Sequence, residues 1–298
     1  MECVFRFHHS IPNQCRRLAA CVQSQGSRRG SISMNAVNTS RFHSVEASPE
    51  NNAAFEQVIA VFRGPHQPAT DIAGKVQALE TLLTGAAQEF DNIALASSLA
   101  AEDNVLFDVI ARLKLNIRVF SLNTGRLHQQ TLDVAPALQA KYGQTVQWFE
   151  PQAQAVETYV NTKGRDAFYE STALRKECCG IRKVEPLARA LQGAKAWVTG
   201  QRQAQAATRA ALPVREFDAD RGIEKFNPLA DWSEADVWTY VRQFEVPVNK
   251  LHFEGFPSIG CEPCTRAITI GEDIRAGRWW WEDPSSKECG LHNANLKK

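Results

Sequence analysis

Residues 93–113 read IALASSLAAEDNVLFDVIARL, and this stretch decides the fold. Ile93 to Ser98 is a short, mostly apolar run bounded by polar residues, the pattern of a buried strand. Val105, Leu106, Val109, Ile110 and Leu113 then recur at the spacing of one helix face. Working outward, Ile117–Leu122 (IRVFSL) predicts a second strand, and residues 127–142 a helix with a break near Pro136. Gln144–Phe149 predicts a third strand, 152–162 a third helix, and Ala194–Thr199 (AKAWVT) a fourth strand. Strands that alternate with helices imply right-handed crossovers, hence an α/β fold with a mainly parallel sheet and flanking helices. Ligands of such sheets sit beyond the carboxyl ends of the strands. The residues to watch are therefore Ser97 and Ser98, Asn123 to Arg126, and Gly200 to Arg202.

Beyond the sheet, Ser233 with Asp236 has the spacing of a helix-start cap, for a helix reaching about Phe244. After Pro247 the chain becomes rich in Gly, Pro, Cys and Trp. The sequence thus divides into an N-terminal extension over 1–50, an α/β nucleotide-binding region over 53–245 and a C-terminal segment over 246–298 that ends in a flexible tail. Two readings fit residues 1–50: a disordered extension of transit-peptide composition, or a mis-assigned start with translation beginning at Met34.

Of the 298 residues, 44% are hydrophobic and 22% charged, ordinary values for a globular chain. Fifteen Phe and seven Trp exclude disorder throughout. No stretch approaches the roughly 18 uninterrupted apolar residues of a membrane span, and no apolar core marks a secretory leader, so a cytoplasmic location is expected. The net charge of +1 argues against nucleic acid as a partner. Residues 1–45 hold six Arg and one acid, which leaves −4 on the remainder. An anion bound there must meet a local cluster of donors.

The eight cysteines are the most informative count. Cys178 and Cys179 are adjacent, and Cys261-Glu262-Pro263-Cys264 is a C-x-x-C pair. Four thiolates from two distant segments suit Zn²⁺ or an iron–sulfur cluster, and the adjacent pair, able to converge at a bend or helix start, favours the cluster. The plain alternative is four buried thiols. Cys289, in Lys287-Glu288-Cys289-Gly290-Leu291-His292, is either an incidental thiol or a nucleophile favoured by nearby cations. Arg275 and Arg278 are three apart, so one helical turn would present both to phosphate or sulfate oxygens; a solvated basic face is the alternative. The loop Ser97–Asp103 opens a helix, where backbone N–H groups bind anions, although it lacks glycine.

Together these stretches resemble the assimilatory adenylyl-sulfate (APS) reductases of the PAPS/APS reductase family. The match runs through Leu122-Asn123-Thr124-Gly125-Arg126-Leu127-His128, the Cys178-Cys179 segment, Thr199-Gly200-Gln201-Arg202, Pro257 to Arg266, Arg275 to Trp281 and Lys287 to His292. It covers roughly residues 53–298. The resemblance implies an adenine nucleotide α-hydrolase-like fold, related to the PP-loop enzymes. It implies one [4Fe–4S] cluster per chain on Cys178, Cys179, Cys261 and Cys264, with Cys289 as the catalytic nucleophile. It implies that Ser97, Lys183, Arg202, Arg209, Arg275 and Arg278 serve the substrate, with His292 as an auxiliary to Cys289. The expected reaction turns adenosine 5'-phosphosulfate into sulfite and AMP through an enzyme S-sulfocysteine. The expected reductant is a separate thioredoxin or glutaredoxin-like protein. The resemblance leaves open a preference for the 3'-phosphorylated substrate PAPS, and a homo-oligomer. A more distant alternative is a zinc-bound PP-loop RNA sulfurtransferase. Two departures stand out: the family's Ser-Phe-Ser-Gly-Ala-Glu-Asp loop has Leu99 for its second Ser and Ala100 for its Gly, and Asn123 stands where Asp is common.

Overall fold

The computed structural model describes residues 71–205, 211–269 and 271–283. Helix α1 (Ile72–Glu89) starts at Asp71, whose carboxylate accepts the Gly74 N–H. Strand β1 (Ile93–Ala96) follows, then α2 (Ala101–Arg112), β2 (Ile117–Leu122), α3 (Gln129–Leu132), α4 (Val134–Tyr142) and β3 (Gln147–Phe149). Next come α5 (Ala153–Lys163), α6 (Thr172–Cys179), a π-helical turn (Gly180–Val184), α7 (Glu185–Ala190) and β4 (Ala196–Val198). A hairpin of β5 (Arg215–Asp218) and β6 (Ile223–Phe226) and helix α8 (Glu234–Gln243) complete the strands and α-helices among the described residues, beside short 3-10 turns.

The strand order is β3-β2-β1-β4-β6-β5. All neighbours are parallel except β5 and β6. Ile93 stands opposite Ile117 on one side and Ala196 on the other. The chain winds outward from β1 to β3 and then returns to β1's other side with β4. The gap between β1 and β4 is therefore the topological switch point, where such sheets bind ligands.

Side-chain alternation divides the core between the two faces of the sheet. Ile93 and Leu95 of β1, with Ala196 and Val198 of β4, join Leu79, Val105, Ile110 and Val237 from α1, α2 and α8. Ala94, Phe120 and Trp197 face the other way, onto Leu187, Ala190 and Leu191 around α7. Helix α8 is held by a reciprocal cap: Ser233 Oγ accepts the Asp236 N–H and Asp236 accepts the Ser233 N–H, at 3.1 and 2.7 Å. The segment after α8 is stitched back to the sheet's binding end, where Asn104 donates to the Pro247 carbonyl and Asn249 to Thr131.

The expected strands and helices are present, though β1 ends at Ala96 and β4 begins at Ala196, inside the expected runs; helices α1, α6 and α7 were not among those expected, and three further differences follow. The helical stretch over 127–142 breaks at Asp133, while Pro136 sits in the first turn of α4, where its missing N–H has no intrahelical acceptor to serve. Strand β3 begins at Gln147 instead of Gln144. The β5–β6 hairpin was not anticipated, because Arg215-Glu216-Phe217-Asp218 is a charged edge strand. Among the described residues no helix is long and apolar enough to cross a membrane.

Candidate active site

A cavity of about 260 Å³ opens over the switch point. Its floor is the loop after β1. Ser97 Oγ accepts the Leu99 N–H at 3.1 Å, and Leu99 takes a left-handed conformation (φ +63°) that sends its side chain into the core. Asp103, in the first turn of α2, folds back on this loop and accepts the Ser98 N–H at 2.6 Å and the Ser98 hydroxyl at 2.5 Å. Its other oxygen accepts the Gly200 N–H from the loop after β4 at 3.1 Å. One carboxylate thus ties two strand-end loops together. A Cβ at Gly200 would lie 2.3 Å from that oxygen, so this close approach requires glycine. Burial, with the neighbouring charge of Glu102 adding to it, pushes the Asp103 pKa up to about 6 against the pull of these hydrogen bonds.

Burial also pushes Glu102 upward, but Arg202 prevails and holds it below the usual carboxylate range. Arg202 donates to Glu102 at 3.0 and 2.8 Å and to the Trp232 carbonyl at 3.2 Å. Gln205 adds a further donor to Glu102 at 3.1 Å.

The loop after β2 joins the cavity to a sulfur-rich pocket. Thr124 Oγ1 and Cys261 Sγ are 3.2 Å apart, Glu262 donates its N–H to the Arg126 carbonyl, and Arg182 donates to the Thr124 carbonyl at 2.7 Å. Cys261, Cys264 and the half-buried Cys178 pack with Phe168, Trp279 and Trp281. Cys179 is buried beside Cys178 at the end of α6. The sequence suggested a bend or helix start for this pair; the structure puts it at a helix end running into the π turn, a wider turn that often marks functional sites. None of the four cysteines is in a disulfide. Burial and the nearby Cys261 push the Cys264 thiol up to about 12, opposed by Lys183 and Arg278. Burial likewise raises Cys178, opposed by Arg182. Among the described residues no group of three or more His, Cys, Asp or Glu is arranged to hold a metal ion.

Among the described residues three cations reach the cavity: Lys183 from the π turn, and Arg275 and Arg278 from a tight turn after Gly271. That turn is closed by the Arg278 N–H on the Arg275 carbonyl, so the expected pairing is achieved without a helix. Arg278 donates to the Ile259 carbonyl and lies flat against Gly260, where a Cβ would meet its guanidinium at 2.4 Å. The Trp279 ring is flanked by Arg278 and Arg175, whose guanidinium carbons lie 4.7 and 4.6 Å from its centroid. Arg175 is fully buried and forms a bidentate pair with Glu282 at 2.9 and 2.7 Å. This pair fastens the C-terminal segment to the helix that carries Cys178 and Cys179.

The structure therefore gathers Ser97, Lys183, Arg275, Arg278 and Cys261 around one cavity, with Cys178 and Cys264 in the sulfur pocket and Cys179 buried next to Cys178 at the end of α6. Arg202 does not line the cavity; it supports the wall by holding Glu102. Arg209, Cys289 and His292 lie outside the described residues. Thr124 and Asp103 fell within the stretches singled out in the sequence but were given no role of their own, and Arg175 and Glu282 were missed. Asp103 had a signal, since a carboxylate in the third helical position can fold back on the preceding loop. The Arg175–Glu282 pair had none.

Residues 92–267 match the model of the phosphoadenosine phosphosulfate reductase domain. The chain is 57% identical over 222 residues to an adenosine 5'-phosphosulfate reductase of Burkholderia cepacia, covering 74% of this chain and 89% of that protein. It is 54% identical over 211 residues to one of Allochromatium vinosum, covering 71% of this chain and 82% of the relative. Among solved structures, the phosphoadenylyl-sulfate reductase of Candida auris in its phosphate complex is similar, with a TM-score of 0.55 and 25% identity, covering 76% of this chain and all of that one.

Proposed function

The chain belongs to the phosphoadenosine phosphosulfate reductase family, and we propose that it reduces adenosine 5'-phosphosulfate to sulfite and AMP in sulfate assimilation, with Cys289 as nucleophile and a dithiol protein as electron donor. The observation that carries this reading is the meeting of Lys183, Arg275 and Arg278 at a switch-point cavity bordered by Cys261. Guanidinium pairs suit the oxygens of a phosphosulfate. The relatives named adenosine 5'-phosphosulfate reductase favour APS over PAPS.

The substrate is a mixed anhydride, with an electrophilic sulfur and a phosphate leaving group. The Cys289 thiolate attacks that sulfur, a sulfur–sulfur bond forms, and the sulfur–oxygen bond breaks with its electron pair passing to AMP. A thiolate of a thioredoxin or glutaredoxin-like protein then attacks the Cys289 sulfur and expels sulfite. Its second thiol resolves the mixed disulfide and returns Cys289 as a thiol. Both electrons come from the dithiol. Arg275, Arg278 and Lys183 hold the phosphosulfate oxygens, Arg209 adds to them, and His292 tunes Cys289. Ser97 shapes the loop beneath the nucleotide, and Arg202 acts through Glu102. Such thiol chemistry suits the reducing cytoplasm.

Cys178, Cys179, Cys261 and Cys264 would hold a [4Fe–4S] cluster. Their chemistry fits it: cysteine thiols give up their protons to a metal centre, and the cations that favour the thiolate, Arg182 and Lys183 at Cys178 and Lys183 and Arg278 at Cys264, lie nearby, with the Thr124 hydroxyl against Cys261. When bound, the cluster supplies a rigid charged anchor joining the two cysteine-bearing segments. The test is sulfite release from APS or PAPS, with and without thioredoxin. The expected result is thioredoxin-dependent release with a higher kcat/KM for APS; release from neither substrate would overturn the reading.

A further inference from the structure

The backbone at residues 199–201 is pinned from three directions. Thr199 Oγ1 donates to Asn227 at 2.6 Å, Gly200 N–H donates to Asp103, and the Gln201 N–H reaches Thr199 Oγ1 at 3.4 Å. The Gln201 side chain therefore starts from a fixed position. It lines the cavity and is only 6% exposed, yet its carbonyl oxygen Oε1 has no hydrogen-bond partner. A buried amide carbonyl left without a donor is unfavourable, and a ligand that brings one recovers the loss.

The chemistry of the cavity restricts which part of a ligand this is. Beside the hydroxyls of Ser97, Ser98 and Thr199, the loops after β1 and β4 and the first turn of α2 contribute the acceptor oxygens of Glu102, Asp103 and Gln201 and no cation. The acceptor oxygens of Glu102 and Asp103 already receive Arg202, Gln205, Ser98 and Gly200. The π turn and the 275–278 turn contribute the cations. A phosphosulfate carries no proton at neutral pH, so Oε1 repels it and the cations attract it. The adenosine half does carry donors, an exocyclic amine and two ribose hydroxyls.

We propose that Gln201 is a specificity-determining residue whose Oε1 accepts a hydrogen bond from one N–H or O–H donor of the nucleoside. This rests on the reading of the cavity as an adenylyl-nucleotide site. The probe is AMP, titrated calorimetrically into the iron-loaded protein beside 2'-deoxy-AMP, 3'-deoxy-AMP and purine riboside 5'-monophosphate, which lacks the amine. In the unmodified protein one of the three analogues binds about three- to tenfold more weakly than AMP, the worth of one hydrogen bond. Gln201→Leu loses the same factor for AMP and no longer distinguishes AMP from that analogue. Gln201→Glu keeps an acceptor and keeps the distinction, and it serves if the Leu variant does not fold. Equal penalties for every analogue in all proteins, or full AMP affinity in Gln201→Leu, would overturn the proposal. Failure of the unmodified protein to bind AMP would instead overturn the underlying nucleotide reading.

Discussion

At Asp103 one buried carboxylate accepts hydrogen bonds from the loops after β1 and β4, and burial raises its pKa to about 6. An unfolded aspartate titrates near about 3.9. Between about pH 4 and 6 the folded chain keeps a proton that the unfolded chain has released, so this group makes stability fall as pH rises through that window. Asp103→Asn removes the contribution: its urea midpoint, compared with that of the unmodified protein, gains ground between pH 4 and 7. A constant difference would contradict the raised value. Arg278 makes a different kind of contribution, since it is braced by the Ile259 carbonyl and stacked on Trp279 while reaching the cavity. Arg278→Ala is expected to raise the APS dissociation constant at least about tenfold, the scale of a charge-assisted hydrogen bond. Unchanged binding would leave Arg278 a bracing role only.

Among the elements, the join between α6 and the C-terminal segment rests on the Arg175–Glu282 pair, whose side chains are 0% and 4% exposed. Glu282→Ala removes the bidentate carboxylate from a buried guanidinium and is expected to cost about 3–5 kcal/mol, read from urea denaturation. A loss below about 1 kcal/mol would show the pair to be solvent-screened. How far such features were legible follows from what sets them. β1 and α2 could be read because a strand buried on both faces is a near-continuous apolar run, and because α2, although buried nearly all round, carries its aliphatic Val105, Leu106, Val109 and Ile110 at helical spacing. The cysteine pairs and the two arginines could be read from composition and spacing alone. The β5–β6 hairpin could not, since it is secured by Arg215–Glu224 and Lys225–Glu216 pairs that look like ordinary surface charge. Arg175 reads as one more basic residue of a polar helix; its burial depends on a glutamate 107 positions later. Gln201 and Gly200 acquire meaning only once β4 is laid beside β1.

For the whole molecule, the parallel sheet sets the cavity at the β1–β4 switch point, and the turns that follow the cysteine segments bring the cations to it. The sulfur pocket adjoins the cavity through Thr124 and Cys261, so loss of the proposed cluster should loosen the cavity wall as well. Anaerobically purified protein is expected to contain four iron and four sulfide per chain, and stoichiometric zinc would contradict the cluster. Chelation of the iron should lower thermal stability and AMP affinity together. The central claim is that one cysteine carries the sulfonate between substrate and reductant. Its most direct test is to mix the anaerobically purified protein with ³⁵S-labelled APS without reductant and to locate the label by peptide mapping. The account predicts about one label per chain on the peptide containing Cys289, discharged as sulfite by thioredoxin and absent from Cys289→Ser. Label retained in Cys289→Ser, or none in the unmodified protein while it still releases AMP from APS, would contradict it.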